Sequence, residues 1–317
     1  MAFNILAIDG GGIRGLIPAI VLAELERRAG APVATLFGLL AGTSTGGILA
    51  AGLTVPDAAG RPRYRAEELV ELYSRHGPRI FRRSLARRLS SAWGLVEEKY
   101  DDAVLEEVLQ RYLGDVRVSR AISPLLLTAY ELETRTPYFV KSWRAAAEPD
   151  RDILLREAAR ATAAAPSYFE PALVRPPGGA PPLSLVDGGV FATNPAMCAY
   201  AEAARMAPGE PVRLVSLGTG RLIRPIRHRD AAGWGSAQWM RPVIDVVFDG
   251  VAETVDHQLA QLLDERHYDR FQPTLTRASD DLDDASAGNL ALLAEQAHEL
   301  VAARSPDLDR LLERLVG

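Results

Sequence analysis

Residues 36–53 of the 317-residue chain read Leu-Phe-Gly-Leu-Leu-Ala-Gly-Thr-Ser-Thr-Gly-Gly-Ile-Leu-Ala-Ala-Gly-Leu. The opening apolar run of this stretch predicts a buried strand, and the small residues at its end suit a tightly packed helix. Between them, Gly42, Ser44 and Gly46 form the pattern G-x-S-x-G. This pattern is typical of a nucleophile elbow, in which a tight turn requires small residues near the serine and the next helix points its N-terminus at the serine oxygen. A glycine-rich loop that lets a helix pack closely on a strand is the plainer alternative.

A second glycine-rich stretch, Asp9-Gly10-Gly11-Gly12-Ile13-Arg14-Gly15, follows the apolar run Phe3 to Ile8. Glycines at the end of a strand let consecutive backbone N–H groups turn towards one point, which makes an anion-binding nest. An acyl-transfer enzyme needs such donors for the oxyanion of its tetrahedral intermediate. Arg14 either adds a positive charge beside these donors or pairs with Asp9 to brace the loop, and the sequence leaves both roles open.

The same loop also matches the dinucleotide-binding pattern G-x-G-x-x-G through Gly10, Gly12 and Gly15. That pattern requires an acidic residue about 20 positions further on, at the end of the next strand, to bind the ribose. The corresponding region, 30–36, contains no acid. A nucleotide-binding module is therefore the less favoured alternative.

A third motif, Leu183-Ser-Leu-Val-Asp187-Gly188-Gly189, places an acid at the end of a further predicted strand. A carboxylate at that position would project into the same rim of the sheet as Ser44 and could accept the serine proton directly. Asp-Gly is also a common turn sequence in which the aspartate binds its own backbone. Taken alone, this motif favours the turn.

Alternating strand and helix patterns predict an α/β protein with a largely parallel sheet that helices cover on both faces. Strands are predicted at Phe3 to Ile8, Leu36 to Ala41, Leu125 to Tyr130, Tyr138 to Lys141, Leu183 to Val186 and Val212 to Leu217. Helices are predicted at 16–28, 48–53, 66–76, 101–113, 151–163, 195–206, 242–264, 287–303 and 306–315. We expect one domain over residues 1–317, with a motif-bearing core at about 4–220 and a helical C-terminal part at about 221–317.

Composition narrows the function classes further. The net charge of −5 and the isoelectric point near 5.7 argue against a nucleic-acid binder, which should carry a basic surface. Cys198 is the single cysteine, so no disulfide can form within the chain, which is compatible with a reducing cytosol. No apolar run approaches the roughly 20 residues that span a bilayer. We therefore expect a soluble, cytoplasmic protein whose membrane contact, if any, is peripheral.

Together, the three motifs resemble those of the patatin-like phospholipases. The pair Asn194-Pro195 and the segment 159–169 are similar to the family's sequence on either side of the acid motif. The resemblance runs from Asn4 to about Gly220 and continues more weakly through Tyr268 to Leu293. It implies a three-layer α/β/α patatin-like fold around a central, largely parallel sheet.

The resemblance also implies a chemistry, namely hydrolysis of acyl-lipid esters of the phospholipase A or lysophospholipase type, with no metal or organic cofactor. Ser44 and Asp187 would form a catalytic Ser–Asp dyad. Gly11 and Gly12, with Arg14 beside them, would form the oxyanion hole. The glycines of the three motifs are Gly10, Gly15, Gly42, Gly46, Gly188 and Gly189.

The histidines favour a direct Ser–Asp pair over a Ser–His–Asp triad. In an α/β-hydrolase the histidine follows the acid along the chain. The candidates after Asp187 are His228, His257, His267 and His298, and none of them falls in a glycine-rich loop after a strand. A ligand-activated phospholipase, silent until a small molecule or partner releases it, is an alternative that the residues neither establish nor exclude.

Two segments are candidates for contact with lipid. In residues 78–93, apolar side chains recur every four residues among arginines, which fits either a basic amphipathic helix on anionic lipid or a packed cap helix. Trp234 and Trp239 lie in 233–240, which is either an exposed rim or a packed one. The acidic segment 279–284 lacks the ligand spacing of a calcium loop, and we expect it to be a solvated turn that leads into the next helix.

Overall fold

An eight-stranded sheet forms the centre of the protein, and the computed structural model describes residues 2–82, 100–221, 224–239 and 242–316. The strands are β1 (Phe3–Ile8), β2 (Leu39–Gly42), β3 (Leu125–Glu131), β4 (Thr136–Lys141), β5 (Ala172–Val174), β6 (Leu183–Asp187), β7 (Val212–Leu217) and β8 (Tyr268–Phe271). Their order is β5-β6-β3-β2-β1-β7-β8, and β4 pairs with β3. The pairs among β3, β2, β1, β7 and β8 are parallel, whereas β4 and β6 run antiparallel to β3.

Helices follow most of the strands. Before β3 they are α1 (Leu16–Ala29), α2 (Val33–Leu36), α3 (Thr45–Thr54), α4 (Ala66–Glu71), α5 (Gly77–Ile80) and α6 (Asp102–Leu113). Beyond β4 they are α7 (Ser142–Ala147), α8 (Leu155–Thr162), α9 (Gly189–Ala192), α10 (Ala196–Met206), α11 (His228–Ala231), α12 (Ser236–Trp239), α13 (Pro242–Leu262), α14 (Ala287–Ala303) and α15 (Ser305–Val316). A π-helical turn, Leu72–His76, joins α4 to α5.

Two apolar layers cover the sheet, one on each face. Successive side chains of a strand point to opposite faces. On β1, Leu6 and Ile8 belong to the layer that contains α1, α3 and α14, whereas Ile5 and Ala7 pack against α10 and α13 on the other side. The predicted three-layer α/β/α architecture with a mostly parallel sheet is therefore confirmed.

The observed bounds of β1, β7 and α14 match the predicted ones, whereas the observed bounds of the second strand differ from the prediction. The apolar run that starts at Leu36 first completes the helical turn α2, and β2 begins only at Leu39. A short buried helical turn and a short buried strand have the same apolar pattern, so periodicity cannot separate them. The predicted helix 66–76 likewise divides into α4 and the π-helical turn.

The sequence prediction lacked β5 and β8. Strand β8 lies in the C-terminal part of the chain, where only helices were expected, and it pairs in parallel with β7. The acidic segment 279–284 contains a turn and leads into α14 as expected, but it is only partly solvated. Leu282 is buried, and its carbonyl accepts a hydrogen bond from the Ile13 N–H at 2.9 Å.

Candidate active site

Ser44 stands in a strained turn between β2 and α3. Its backbone angles are φ 55° and ψ −125°, a region that L-residues rarely adopt. A Cβ on Gly42 would lie 2.3 Å from the carbonyl oxygen of Gly46, and a Cβ on Gly46 would lie 2.2 Å from the carbonyl oxygen of Ile8. Only glycine therefore fits at both places, as the geometry of an elbow requires.

Strand register brings Asp187 to Ser44. Strand β3 pairs along its full length with β4, so β2 and β6 must share its other edge, where β2 pairs with residues 125–127 and β6 with residues 129–131. Because β2 runs parallel and β6 antiparallel to β3, their C-terminal ends face each other along this edge. Ser44 follows one of these ends, and Asp187 closes the other.

The Asp187 carboxyl is fully buried. Its Oδ1 accepts a hydrogen bond from the Gly189 N–H at 2.7 Å, whereas Oδ2 has no well-formed hydrogen bond within the described residues. Burial raises the pKa of this carboxyl to about 7, against smaller lowering effects of the nearby Ser44 side chain and of the hydrogen bond from the Gly189 N–H. The Ser44 hydroxyl thus lies next to a carboxyl that binds a proton near neutral pH.

The glycine loop after β1 carries two backbone donors that are free in the described parts of the chain. The neighbouring amides are occupied, since Gly10 donates to the Thr193 carbonyl and Ile13 to the Leu282 carbonyl, both at 2.9 Å. The N–H groups of Gly11 and Gly12 have no such partner, and both glycines line the cavity at Ser44. Gly12 has a φ of +57°, which suits a residue without a side chain.

Arg14 and Asp9 do not pair with each other, so that alternative is wrong. Asp9 accepts a hydrogen bond from Arg270 of β8, with a distance of 2.6 Å between Oδ2 and Nη2. Arg14 is buried and donates to the carbonyl oxygens of Gly11 at 3.4 Å and Asp280 at 3.3 Å. It lines a second, polar cavity of about 330 Å³ rather than the cavity at Ser44.

The remaining motif glycines surround this centre. Gly10, Gly15, Gly188 and Gly189 are all buried. A Cβ on Gly10 would come within 3.2 Å of the Ser44 Cβ, and a Cβ on Gly188 would lie 2.1 Å from the Thr128 hydroxyl oxygen. The three motifs therefore converge on one small, closely packed region.

An apolar cavity of about 60 Å³ adjoins Ser44, Gly11 and Gly12. Its other walls come from α3, the segment 72–81, α6, the segment 163–169 and α13. The side chains there are almost entirely aliphatic and aromatic, among them Ile48, Leu72, Ile80, Phe81, Leu105, Phe169, Phe248 and Leu282. This end of the site suits a hydrocarbon chain rather than a polar ligand.

Three threonines that the sequence analysis missed form hydrogen bonds that hold the elbow in place. The Ser44 N–H donates to the Thr162 hydroxyl oxygen at 2.9 Å. The Thr43 hydroxyl donates to the Ala192 carbonyl at 2.6 Å and lies 2.7 Å from the Thr128 hydroxyl. The local signal for Thr162 is weak, since it is a single small polar residue in the alanine-rich run 158–165.

The histidines are not part of the cavity lining at Ser44. All five lie in described parts of the chain, and none lines the cavity at Ser44.

Of the candidate lipid-binding helix 78–93, residues 83–93 lie outside the described residues. Pro78 to Ile80 belong to α5, and Arg79 pairs with Glu107 at 2.9 Å.

A sequence model of one family, the patatin-like phospholipases, matches residues 6–200. The chain belongs to this family. Curated relatives extend the match to most of the chain. Patatin-like protein 2 of Arabidopsis thaliana is 33% identical over 94% of this chain and 82% of its own length. Patatin group J-1 of Solanum tuberosum is 33% identical over 94% of this chain and 83% of its own length.

Another relative, "Probable inactive patatin-3-Kuras 1" of Solanum tuberosum, is 33% identical over 94% of this patatin-like chain and 86% of its own length. Among solved structures, VipD from Legionella pneumophila matches 95% of this chain and 67% of its own, at 12% identity and a TM-score of 0.39. The type III effector ExoU matches 100% of this chain and 54% of its own, at 13% identity and a TM-score of 0.39. Membership of the patatin-like family supports lipid hydrolase activity. Among the described residues, no helix combines the length and apolar composition needed to cross a bilayer.

Proposed function

We propose that this patatin-like protein is a serine carboxylic ester hydrolase that cleaves fatty-acyl esters of lipids, of the phospholipase A or lysophospholipase type. One observation carries the proposal. Ser44, in its strained elbow, lies beside a buried Asp187 carboxyl with a pKa of about 7, at one end of an apolar cavity. Ionised carboxylates are weak bases at their usual pKa, so the raised pKa is what suits Asp187 to accept a proton at neutral pH.

In the first half of the reaction, the Ser44 hydroxyl attacks the ester carbonyl carbon while the Asp187 carboxylate accepts its proton. The carbonyl oxygen becomes an oxyanion. When the tetrahedral intermediate collapses, Asp187 returns the proton to the departing alcohol, and an acyl-enzyme on Ser44 remains. In the second half, a water molecule gives its proton to Asp187 and attacks the acyl carbonyl carbon. The bond between that carbon and Ser44 Oγ then breaks, Asp187 returns the proton to Oγ, and the fatty acid is released.

The free N–H groups of Gly11 and Gly12 would hold the oxyanion, since both line the cavity at Ser44. Arg14 acts on this pair through the backbone. The carbonyl of Gly11 and the N–H of Gly12 belong to one planar trans peptide, so they point in opposite directions. The Gly11 carbonyl accepts hydrogen bonds from the Arg14 backbone N–H at 3.1 Å and from Arg14 Nε at 3.4 Å, so Arg14 would help to fix the orientation of the Gly12 N–H.

We also infer that residues 1–317 form one catalytic domain, which would act in the cytoplasm with transient contact to a membrane. The C-terminal part contributes β8 to the central sheet, and its Arg270 anchors Asp9 in the glycine loop. Leu282 and Phe248, also from this part, line the cavity at Ser44. Such contacts support a single domain in which the C-terminal part contributes to the site.

The test is hydrolysis of mixed phospholipid vesicles, with released fatty acid followed by mass spectrometry. The wild type should release fatty acid, and Ser44→Ala and Asp187→Asn should each lower the rate by at least about 10³-fold. Ser74→Ala and Asp150→Asn, at exposed positions, are the matched controls and should leave it unchanged. Activity retained in either dyad variant, or a wild type inactive on phospholipid and lysophospholipid alike, would contradict the proposal.

A further inference from the structure

We propose that described residues 224–239 and 242–247, which we name the 224–247 surface, bind the face of an anionic phospholipid bilayer. This inference rests on the lipid hydrolase function proposed above and names the surface through which that site would reach its substrate. Four features of the surface support it: exposed aliphatic side chains, a pair of tryptophans, a local positive charge and its place relative to Ser44.

Exposed apolar side chains concentrate on this surface. The large hydrophobic residues that are most exposed in the described structure number eight, and five of them lie between positions 226 and 247. These five are Ile226, Trp239, Val243, Val246 and Val247, with exposures of 37% to 46%. Positions 243, 246 and 247 share one face of α13, because residues three and four apart are neighbours on a helix. Apolar patches of this kind mark sites of protein or membrane contact.

Two indole rings stand next to this face. Trp234 and Trp239 contact each other edge to face, with ring centroids 5.1 Å apart. Tryptophan concentrates at the level of lipid headgroups, because its ring is apolar while its N–H requires a polar partner. The sequence left open whether 233–240 is exposed or packed, and the indole of Trp239 is accessible to solvent.

The charge of the 224–247 surface bears on whether its partner is a lipid bilayer or a second copy of the chain. The described residues of this surface contain three arginines, at 224, 227 and 229, and two acids, Asp230 and Asp245, so its formal charge is +1 although the whole chain has a net charge of −5. Arg224 pairs with Asp280 and Arg229 lies 3.6 Å from Asp230, whereas Arg227 has no ion pair within the described part of the chain. Juxtaposed basic residues are attracted to the negative headgroups of anionic lipids. A second copy of this chain would instead present the same net positive charge, since a two-fold interface brings identical patches together. The surface therefore fits an anionic bilayer better than a dimer partner.

Helix α13 connects this surface with the site. The side chain of Phe248, buried on the inner side of α13, lines the cavity at Ser44 and lies against Gly189 of α9. Val246 and Val247, the residues just before it, face outwards. A helix with its side chains is about 10 Å across, so a bilayer against the outer face would lie roughly that far from the cavity. Lipid could then enter the cavity without leaving the membrane environment.

The decisive experiment measures binding separately from chemistry. Vesicles of ether-linked phosphatidylglycerol and phosphatidylcholine, which contain no acyl ester, are sedimented with the full-length protein. We expect the triple variant Val243→Gln/Val246→Gln/Val247→Gln to bind at least about tenfold more weakly than the wild type. Arg227→Glu/Arg229→Glu should weaken binding by a similar factor, and higher salt should reduce that difference.

Matched controls lie outside the surface. Leu262→Gln changes an exposed aliphatic residue at the far end of α13, and Arg205→Glu reverses an exposed arginine on α10. Both should bind vesicles within about twofold of the wild type, and every variant should hydrolyse a short-chain, water-soluble ester at the wild-type rate. Unchanged vesicle binding in both surface variants would overturn the inference, as would a wild-type dimer that the valine variant dissociates in velocity sedimentation. If the wild type hydrolyses no ester at all, the proposed function fails while the ether-lipid measurement still tests the surface.

Discussion

Thr162 accepts a hydrogen bond from the backbone N–H of Ser44, with a distance of 2.9 Å between the nitrogen and Oγ1. Thr162 is the last residue of α8 and is fully buried, so water cannot replace its hydroxyl. The bond fixes the peptide group of a residue that stands at a strained φ of 55°. A second helix, outside the three sequence motifs, therefore holds the elbow in its orientation.

Thr162 should thus act as a positioning residue for the proposed reaction. Thr162→Val keeps the side-chain shape but leaves the buried Ser44 N–H without an acceptor, a loss of about 1–3 kcal/mol. We expect kcat to fall about 10- to 100-fold with little change in KM, whereas Thr162→Ser should stay within about threefold of the wild type. Steady-state kinetics on a soluble ester separate the two constants. Equal effects of valine and serine would show that only packing is involved.

The pH dependence of the reaction should follow Asp187. Burial raises the pKa of its carboxyl to about 7, and only the ionised form can accept the Ser44 proton. We expect kcat/KM for a soluble ester to rise with pH and to level off above about 7, a limb that reports the free enzyme. A rate that is constant from pH 5 to 8 would contradict this assignment.

The same carboxyl makes a contribution of opposite sign to stability. Between its ordinary pKa of 3.8 and about 7, the folded protein keeps a proton that the unfolded chain has released. The free energy of unfolding should therefore fall as pH rises through this window, by at most about 1.4 kcal/mol per pH unit from this group. Asp187→Asn cannot ionise, so denaturation at pH 5 and pH 8 should show a smaller difference in the variant than in the wild type.

Local sequence patterns were enough to predict the parts of the fold in which a short apolar run is followed directly by a glycine-containing turn. Strand β1, the elbow at Ser44 and the acid motif at Asp187 are of this kind. Strand β8 was missed because it reads Tyr-Asp-Arg-Phe, and its charged residues find their partners far away in the sequence. Asp269 pairs with Arg314 at 3.0 Å, and Arg270 pairs with Asp9. The two members of each pair are too far apart in the sequence for a local pattern to show that they pair.

Arg14 should affect turnover more than binding. Its guanidinium donates to the Gly11 carbonyl at 3.4 Å, beside the backbone N–H of Arg14 at 3.1 Å, and so helps to orient the Gly12 N–H, one of the proposed oxyanion donors. Loss of one such donor typically costs about 10²–10³ in rate, so we expect Arg14→Met to lower kcat about 10- to 100-fold at nearly constant KM. Arg221→Met is the control, because Arg221 lines the same polar cavity but pairs with Glu253 at its exposed side. A change in KM alone would assign Arg14 to substrate binding.

The ion pair between Asp9 and Arg270 should be essential to stability. Both side chains are largely buried, and desolvation raises the pKa of Asp9 even beside the arginine. Arg270→Met would leave a buried carboxyl without its partner, which costs about 3–5 kcal/mol. Arg277→Met breaks an exposed pairing with Glu295 and Glu299 and should cost less than about 1 kcal/mol. Chemical denaturation measures both, and the double variant Asp9→Asn/Arg270→Met should recover part of the loss.

Gly46 should tolerate no side chain, because a Cβ there would lie 2.2 Å from the carbonyl oxygen of Ile8. Backbone at the end of β1 cannot give way as the tip of a side chain can, so Gly46→Ala must displace either the elbow or the strand. We expect a loss of about 2–3 kcal/mol in the free energy of unfolding, together with loss of ester hydrolysis. Gly250→Ala is the matched control, since a Cβ on this exposed glycine of α13 would meet no atom within 4 Å. Because alanine favours the helix, that variant should gain about 0.5–1 kcal/mol, and equal stability of the two variants in thermal denaturation would refute the packing argument.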